Sequence, residues 1–341
     1  MEKITLILDK EEYKKKEDEI AKIFQENNYD VKIVHTKYED FFIRKVRNVK
    51  YIGSMIQHLL YWMKSFLYAL KVILLSRNKK IIAINPIVGM FLGALNITKN
   101  KEIVLCGFLF ENKKSQTYYK LRKKITKIFL RGISKIVVYS SKEIAYYKKI
   151  FPEIDKFTFV KYGIDYNANR KYTGQLPKEY IFSGGGSNRD YKTLIEAYNQ
   201  MAIKLPLYIA TKISCVENID ITKINLLTDV VLETFGDVMG RAKIVVLSLK
   251  DEEISAGHQV LLQALKENAV IIVNRISSIE DYVDEENVIF YKSKQQQDLI
   301  SKIEYVIENY EEQRNKYSDN EKYYKENYTF NCFINRLIKL I

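Results

Sequence analysis

The chain has 341 residues, 47% of them hydrophobic, which is longer than one hydrophobic core usually supports and too apolar for an intrinsically disordered protein. Its composition therefore predicts two globular domains. Three widely separated cysteines and three histidines argue against a disulfide framework and against a histidine-rich metal site, and they favour a reducing compartment.

The net charge of +13 is distributed unevenly along the chain. Residues 1–170 contain 34 Lys and Arg against 17 Asp and Glu, whereas the rest of the chain has a small acidic excess. Between residues 44 and 135 the bias reaches 20 basic residues to two acidic ones. Such an asymmetry indicates that the first half faces an anionic partner, either a nucleic acid or an anionic membrane.

Short β-branched runs alternate with longer amphipathic segments in the first half. The predicted strands lie at 3–9, 29–36, 79–85, 101–108 and 134–140. The second half repeats this scheme from residue 180, with a further strand predicted at 229–235. Strands that alternate with helices are typical of parallel sheets with crossover helices.

A polar segment with glycine and proline, residues 163–179, is the predicted linker between two doubly wound α/β domains. Ligands of open α/β sheets bind beyond the carboxyl ends of the strands. We therefore expect the ligand site in the cleft between the domains.

The most apolar segment is 51–76. Lys64 and Lys71 interrupt it, so its charge-free stretches are shorter than the roughly 18 residues of a spanning helix. The segment is expected not to cross a membrane, and the N-terminal residues have no signal-peptide pattern.

Residues 113–135 contain nine cations and no acid. Four of the cations form one helical stripe, and an apolar face lies beside it: Lys120, Lys124, Lys127 and Arg131; Leu121, Ile125, Ile128 and Phe129. With the aromatic residues of 51–76, this pattern favours docking on a membrane surface. A solvated helix face and a nucleic-acid surface are the alternatives.

Three consecutive glycines, Gly184, Gly185 and Gly186, follow a predicted strand and precede the helical segment "DYKTLIEAYNQM". Glycine lets a ligand approach the backbone closely, and a helix N-terminus offers free N–H groups. The loop is therefore predicted to bind phosphate, with Arg189 as a mobile positive charge. The alternative is a tight turn whose glycines serve packing.

A second loop, "ISAGH", has the same character. Ser255, Ala256, Gly257 and His258 precede a helix predicted to begin near Gln259, with Ser255 as N-cap. Gly257 allows close approach, and His258 could donate a hydrogen bond to phosphate. Two helix N-termini in one domain could hold one diphosphate.

These motifs resemble those of bacterial glycosyltransferases with the GT-B fold, particularly those near family 4. "SGGGSNRDYKTLIEA" is similar to the family's strand, glycine loop and helix, and "VLLQALKENAVIIVNRISSIEDYV" to a later helix, strand and turn. "FVKYGID" resembles the motif that ends the acceptor domain, and "ENYTFNCFINRLIKLI" a C-terminal helix that crosses back to the first domain. The resemblance covers about residues 140–341.

The resemblance implies a GT-B fold, an α/β architecture of two Rossmann-like doubly wound parallel-sheet domains that face a cleft. Residues 1–162 would form a basic, membrane-facing acceptor domain, residues 180–325 the nucleotide-sugar donor domain, and residues 326–341 the returning helix.

The chain departs from the family at two glutamates around the second loop, where it has Ser255 and Gln263. Gln263 could still bond a ribose hydroxyl. Arg189 lies near the family's loop lysine, and Glu280 follows its turn glutamate, which would lie near the nucleotide or sugar. The resemblance favours retention of anomeric configuration, and the missing glutamate leaves inversion open.

An inverting transfer would also need a base in the first domain, and Glu111 and His35, which follow strands there, are the candidates; each could also be an ordinary loop residue. No metal and no cofactor are expected, because helix dipoles, amides and Arg189 could stabilise the leaving diphosphate.

We therefore expect a glycosyltransferase that uses a UDP-sugar and a lipid-linked or growing surface glycan at the inner face of the cell membrane. The alternatives are a catalytically idle partner subunit, a nucleic-acid-binding protein and a hydrolysing sugar-nucleotide epimerase. The sequence has no known nucleic-acid-binding module, so nucleic acid is not expected as a partner.

Overall fold

The computed structural model describes residues 1–9, 11–36, 53–111, 115–166, 170–202 and 205–341. The chain separates into two compact units. The first contains Met1–Val160 with Ile334–Ile341, and the second contains Lys161–Phe333.

The first unit is built on six parallel strands in the order β2-β1-β3-β4-β5-β6. Their bounds are β1 Glu2–Leu8, β2 Tyr29–His35, β3 Lys80–Ala83, β4 Glu102–Cys106, β5 Lys135–Val138 and β6 Phe157–Phe159. Leu6 at the centre pairs with Ile33 of β2 and with Ile82 of β3. The inner strands are nearly continuous apolar runs because helices cover the sheet.

The helices described in this unit are α1 Glu17–Glu26, α2 Gly53–Leu75, α3 Pro86–Leu95, α4 Gln116–Arg131 and α5 Ser141–Ile150. Polar caps fix where they begin: the Asn85 side chain accepts from the N–H groups of Ile87 and Val88 at α3, and Ser115 accepts from Tyr118 at α4. Right-handed crossovers put α2 to α5 on one face of the sheet, and all four contribute to one hydrophobic core.

Helix α2 changes one expectation from the sequence. Residues 55–75 have a mean hydropathy of 1.3, so this stretch is long and apolar enough to cross a membrane by length and composition. Lys64 and Lys71 therefore do not exclude a spanning helix. Only 17% of the most apolar window is buried, and the buried positions include Ser65, Ala69 and Val72.

The second unit has six parallel strands in the order β12-β11-β10-β7-β8-β9. They are β7 Ile181–Gly184, β8 Leu207–Ala210, β9 Asn225–Leu227, β10 Ile244–Leu247, β11 Ile271–Asn274 and β12 Ile289–Tyr291. The helices are α6 Tyr191–Gln200, α7 Leu232–Gly240, α8 His258–Lys266, α9 Ser277–Glu280, α10 Gln296–Glu308, α11 Tyr310–Lys316, α12 Asn320–Asn327 and α13 Phe330–Ile338. The last residues of α13 belong to the first unit.

The strand predicted at 229–235 is wrong. Strand β9 lies earlier, and helix α7 begins at Leu232. The helix buries Gly236, Val238 and Met239, so its apolar residues continue at helical spacing beyond the β-branched pair Val230 and Val231 that suggested a strand. The predicted linker, residues 163–179, has no helix or strand at its described positions.

Candidate functional site

The site lies at the carboxyl ends of two central strands of the second sheet. The strand order reverses between β7 and β10, which are neighbours although they are far apart in sequence. Gly184 ends β7 and the other two glycines follow it, and the "ISAGH" loop lies between β10 and the first residue of α8. Ligands of open α/β sheets bind at such a reversal, so the two loops predicted to bind phosphate share one crevice.

Each glycine of the first loop has a different surrounding. A Cβ on Gly184 would lie 2.6 Å from the Phe235 ring, so packing requires glycine there. Gly185 has a φ of +106°, which side chains rarely adopt, and a Cβ there would collide with Arg189. A Cβ on Gly186 would meet no atom of a described residue within 4 Å, so the backbone there faces open space. The packing alternative therefore explains two glycines and leaves Gly186 for a ligand.

The loop offers three backbone amides that no described residue engages. The backbone N–H groups of Gly186, Ser187 and Asn188 donate no hydrogen bond to any residue that the structure describes. The carbonyl of Gly185 is held by the Tyr191 hydroxyl at 2.6 Å and by Thr211 Oγ1 at 2.9 Å. Successive unpaired N–H groups in a turn form a concavity for an anion. Sequence reasoning missed both side chains that fix this turn.

Arg189 is not the mobile charge that the sequence suggested. Its side chain is buried, with 8% of its surface exposed. Nε donates to the Gly184 carbonyl at 2.9 Å and Nη1 to the Ser187 carbonyl at 2.7 Å. Burial lowers the pKa of Arg189 from its usual value. Nη2 makes no hydrogen bond to a described residue, so one end of the guanidinium keeps its donors for a ligand.

The second loop is fixed by polar residues at the ends of neighbouring strands. Asn274 at the end of β11 accepts from the Leu249 N–H and donates to the Leu249 carbonyl, both at 2.8 Å. The Tyr291 hydroxyl of β12 donates to Ser248 Oγ at 2.7 Å. These bonds hold the chain in place before it reaches Ser255 and Ala256, which are half-buried.

Helix α8 begins one residue earlier than predicted, at His258, and its N-cap is Gly257 instead of Ser255. Gly257 has a φ of +91°, and a Cβ there would lie 2.9 Å from a Leu249 methyl carbon. The N-cap provides no side-chain hydrogen bond. The first N–H groups of α8 therefore receive no cap from Gly257, as an anion site at a helix N-terminus requires.

Hydrogen bonds join the two loops directly. The Asp190 N–H donates to the Ser248 carbonyl and the Lys250 N–H to the Asn188 carbonyl, both at 2.9 Å. Asn188 Nδ2 also lies 3.4 Å from the Ile254 carbonyl. The amides of the glycine loop and the N-terminus of α8 are thus parts of one cross-linked structure.

The His258 ring is engaged inside the unit. Its Nε2 lies 3.0 Å from the Ser278 carbonyl, and its ring packs on Tyr282 with 4.4 Å between centroids. Burial lowers the pKa of His258 to about 4, so the imidazole is neutral at pH 7. This arrangement contradicts the expectation that the ring donates to phosphate, and it leaves the backbone N–H of His258 as the group that can face an anion.

Gln263 and Glu280 differ in accessibility. Gln263 on α8 is 3% exposed, and its side-chain amide forms no hydrogen bond with any described residue. Glu280 at the end of α9 is exposed, and its carboxylate lies 2.9 Å from Arg275 Nη1. Arg275 also pairs with Glu285. The Glu280 carboxylate is therefore partly neutralised before any sugar could contact it.

The two candidate bases in the first unit are not neighbours. His35 ends β2, and its Nε2 lies 2.7 Å from Glu17 Oε1. Glu111 is exposed after β4, and its carbonyl accepts from Arg122 Nη1 at 3.0 Å. Strands β1 and β3 lie between β2 and β4, a separation of about 14 Å across the sheet. They cannot act as a pair.

Asp9 is a residue that sequence reasoning missed. It follows β1, beside the point where the first sheet reverses its strand order between β1 and β3. A single acid after the first strand gives no signal in the sequence, because only the strand order shows its place. Among the described residues no group of three or more His, Cys, Asp or Glu side chains is arranged to hold a metal ion.

Comparisons with known proteins give structural neighbours only: no family model and no curated protein matches the sequence. A sucrose-phosphate synthase from Thermosynechococcus elongatus is similar with a TM-score of 0.68 and 11% identity, over 100% of this chain and 98% of that chain. HepE of Anabaena, solved in complex with UDP and glucose, has a TM-score of 0.64 and 11% identity, over 100% and 99%. A glycosyltransferase from Rickettsia africae has a TM-score of 0.59 and 12% identity, over 99% and 97%.

These likenesses extend over both units and over nearly the whole of each neighbour. They confirm the fold predicted from the sequence: the chain has the GT-B fold, an α/β architecture of two Rossmann-like domains with parallel sheets.

Proposed function

We propose that the chain transfers a sugar from a UDP-linked donor to a glycan acceptor. The observation that carries the proposal is the crevice at the strand-order reversal of the second unit. There the free amides of Gly186 to Asn188, the Arg189 guanidinium and the N-terminus of α8 are cross-linked into one anion site. Neighbours of this fold include HepE, solved with UDP and with UDP-glucose.

The chemistry follows from where charge develops. The bond between the anomeric carbon and the donor's β-phosphate oxygen breaks, and the nucleoside diphosphate gains negative charge as it leaves. Preorganised N–H groups and a guanidinium stabilise that charge most where water is excluded. The transfer needs no metal in this proposal, because these groups supply the positive potential that a bound cation would otherwise supply.

Gln263 is proposed to bond the ribose, because its side-chain amide has no partner among the described residues and lies on the helix whose N-terminus would meet the phosphates. Ser255 and Ala256 would approach the diphosphate through backbone N–H groups. Glu280 would reach the sugar only after exchanging its ion pair with Arg275. Retention of configuration is proposed, from the resemblance to family 4.

The acceptor is proposed to be a lipid-linked or growing surface glycan at the inner face of the cell membrane. The support is the excess of 20 basic residues over two acidic ones between positions 44 and 135. With retention, the acceptor oxygen bonds to the anomeric carbon on the face that the diphosphate leaves, and the leaving diphosphate oxygen takes the acceptor proton. If the transfer inverts the configuration instead, Glu111 or His35 would accept that proton. The pair's separation means that only one of them acts, so single substitutions distinguish them.

The test begins with thermal unfolding of the full chain with UDP, GDP, ADP and UDP-sugars. A ligand that binds only the folded state stabilises it by RT ln(1 + [L]/Kd). We expect UDP and one UDP-sugar to raise Tm more than the other nucleotides. That sugar is then incubated with and without glycan acceptors, and the anomeric configuration of the product is read by NMR.

Each outcome has a defined meaning. No stabilisation by any nucleotide would overturn the donor site. Release of a free epimerised sugar without an acceptor would identify a hydrolysing epimerase instead. Binding of UDP-sugar with neither transfer nor hydrolysis would identify an idle partner subunit.

A further inference from the structure

Three helices of the first unit form one continuous layer. Phe91 of α3 packs against Trp62 and Phe66 of α2, with 5.5 Å between ring centroids in both cases. On its other side Phe91 packs against Phe129 of α4 at 5.4 Å. The outer faces of α2 and α4 are therefore held in a fixed relation on either side of α3.

The outer face of α2 is apolar. Met55, Leu59, Met63 and Leu67 follow each other at every fourth position, which puts them in one row, and each is between 52% and 67% exposed. Leu121, Ile125 and Ile128 are likewise exposed on α4. Contiguous exposed apolar surface of this kind marks an interaction site.

The cations on these helices are available to a partner. Lys71 continues the row on α2, and Lys120, Lys124 and Arg131 lie on α4; all four are exposed and form no ion pair with a described residue. Lys127 on α4 differs, because its Nζ lies 2.7 Å from Glu153. The predicted basic stripe therefore keeps three of its four charges for a partner.

We propose that the outer faces of α2 and α4, here called the docking surface, bind an anionic lipid bilayer, with α2 lying in the headgroup region parallel to the membrane. Charge complementarity selects the partner: apolar side chains enter the acyl boundary while flanking lysines and arginines meet anionic headgroups. The proposal does not depend on the donor site.

The inner face of α2 opposes a spanning orientation. Ala69 and Val72 are buried in the core of the first unit, and Ser65 beside them is fully buried. A helix that crossed the bilayer would have to leave this core. Lying in the interface keeps the inner face packed and uses only the outer row.

The proposal is tested by flotation of the full chain with vesicles of phosphatidylcholine alone and of phosphatidylcholine mixed with phosphatidylglycerol. We expect flotation only with phosphatidylglycerol. It should be strong at about 0.1 M salt and weak at about 1 M, because the Debye length falls from about 10 Å to about 3 Å. Alkaline carbonate should release the protein.

Two variants and one matched control locate the surface. Leu59→Gln with Leu67→Gln keeps helix propensity and should weaken vesicle binding at least about tenfold, because two side chains no longer enter the apolar boundary. Lys120→Glu with Lys124→Glu should abolish binding to phosphatidylglycerol vesicles. The control, Val231→Gln with Leu232→Gln, removes two similarly exposed apolar side chains of the second unit and should leave binding unchanged.

Circular dichroism and thermal unfolding establish that each variant folds. Failure of the wild type to float with phosphatidylglycerol at low salt would overturn the proposal. Resistance to alkaline carbonate would overturn the parallel orientation and indicate a spanning helix. Salt-sensitive binding to single-stranded RNA that the Leu59 and Leu67 substitutions leave intact, without vesicle binding, would assign the basic face to nucleic acid.

Discussion

The Arg189 guanidinium occupies the space that a side chain at Gly185 would need, and Gly185 adopts a φ of +106° beside it. The two residues therefore fix the glycine loop together. Gly185 supplies the left-handed turn, and Arg189 donates hydrogen bonds to the carbonyls on either side of that turn.

Gly185→Ala is expected to lower the free energy of unfolding by about 1–3 kcal/mol, because the left-handed conformation is unfavourable with a Cβ and Arg189 must move. Denaturant unfolding measures this loss. Gly186→Ala is the matched control: its surroundings are open, so its stability should change by less than about 0.5 kcal/mol. Its UDP affinity should nevertheless fall, and unchanged UDP binding would remove Gly186 from the site.

Arg189→Ala is expected to weaken binding of UDP by about 1.5–3 kcal/mol, through loss of a charge-assisted contact. Because Arg189 also holds the Gly184 and Ser187 carbonyls, the variant should lose stability without any ligand. Arg189→Lys keeps the charge but not the planar donors, so it should recover part of the UDP affinity and little of the stability. Calorimetric titration and denaturant unfolding separate the two effects, and UDP affinity equal to wild type would contradict the assignment.

The fold and the two loops could be predicted because their signals are local. Short β-branched runs between helical segments predict parallel strands. Three adjacent glycines, or Gly257 before a helix, predict turns whose backbone conformation is unfavourable for other residues. The wrong strand at 229–235 also came from a local signal. Val230 and Val231 are β-branched and suggest a strand, whereas the apolar residues that follow them have helical spacing.

The remaining features depend on contacts between distant parts of the chain. That β7 and β10 are neighbours follows only from strand order, and Asp9 gains its position in the same way. Arg189 was expected to be a mobile charge and His258 a donor to phosphate, but contacts with Gly184, Ser278 and Tyr282 hold both side chains inside the unit. A sequence pattern identifies a candidate side chain, but contacts with residues that are distant in sequence determine its orientation.

His258 should make the stability depend on pH. Burial is the main cause that lowers its pKa from 6.5 to about 4, and the Ser278 carbonyl and Asp281 oppose the shift. The unfolded chain therefore binds more protons than the folded chain between these values, so stability is complete above pH 6.5 and falls as the pH drops toward 4. Lowering the pH from 7 to 5 should therefore reduce the free energy of unfolding by about 2 kcal/mol through this residue.

His258→Phe keeps a ring against Tyr282 and cannot titrate. When the pH is lowered from 7 to 5, its free energy of unfolding, measured with denaturant, should therefore fall by about 2 kcal/mol less than that of wild type. The variant also loses the bond to the Ser278 carbonyl, which lowers stability equally at both pH values. Equal pH dependence in the two proteins would show that His258 is not held neutral.

Gln263→Leu separates the ribose contact from the phosphate contacts. Gln263 is only 3% exposed as a whole residue, and its amide forms no hydrogen bond to a described residue, so replacing it with an apolar side chain should leave the free energy of unfolding nearly unchanged. Affinity for both UMP and UDP should fall by about 1 kcal/mol, because the ribose is common to them. Arg189→Ala, by contrast, should weaken binding of UDP more than binding of UMP.

Gln263→Glu should restore binding of both nucleotides, since a carboxylate can accept from the ribose hydroxyls. Calorimetric titrations of UMP and UDP into the three variants make the comparison, and a Gln263→Leu protein that binds both nucleotides as tightly as wild type would place the ribose elsewhere.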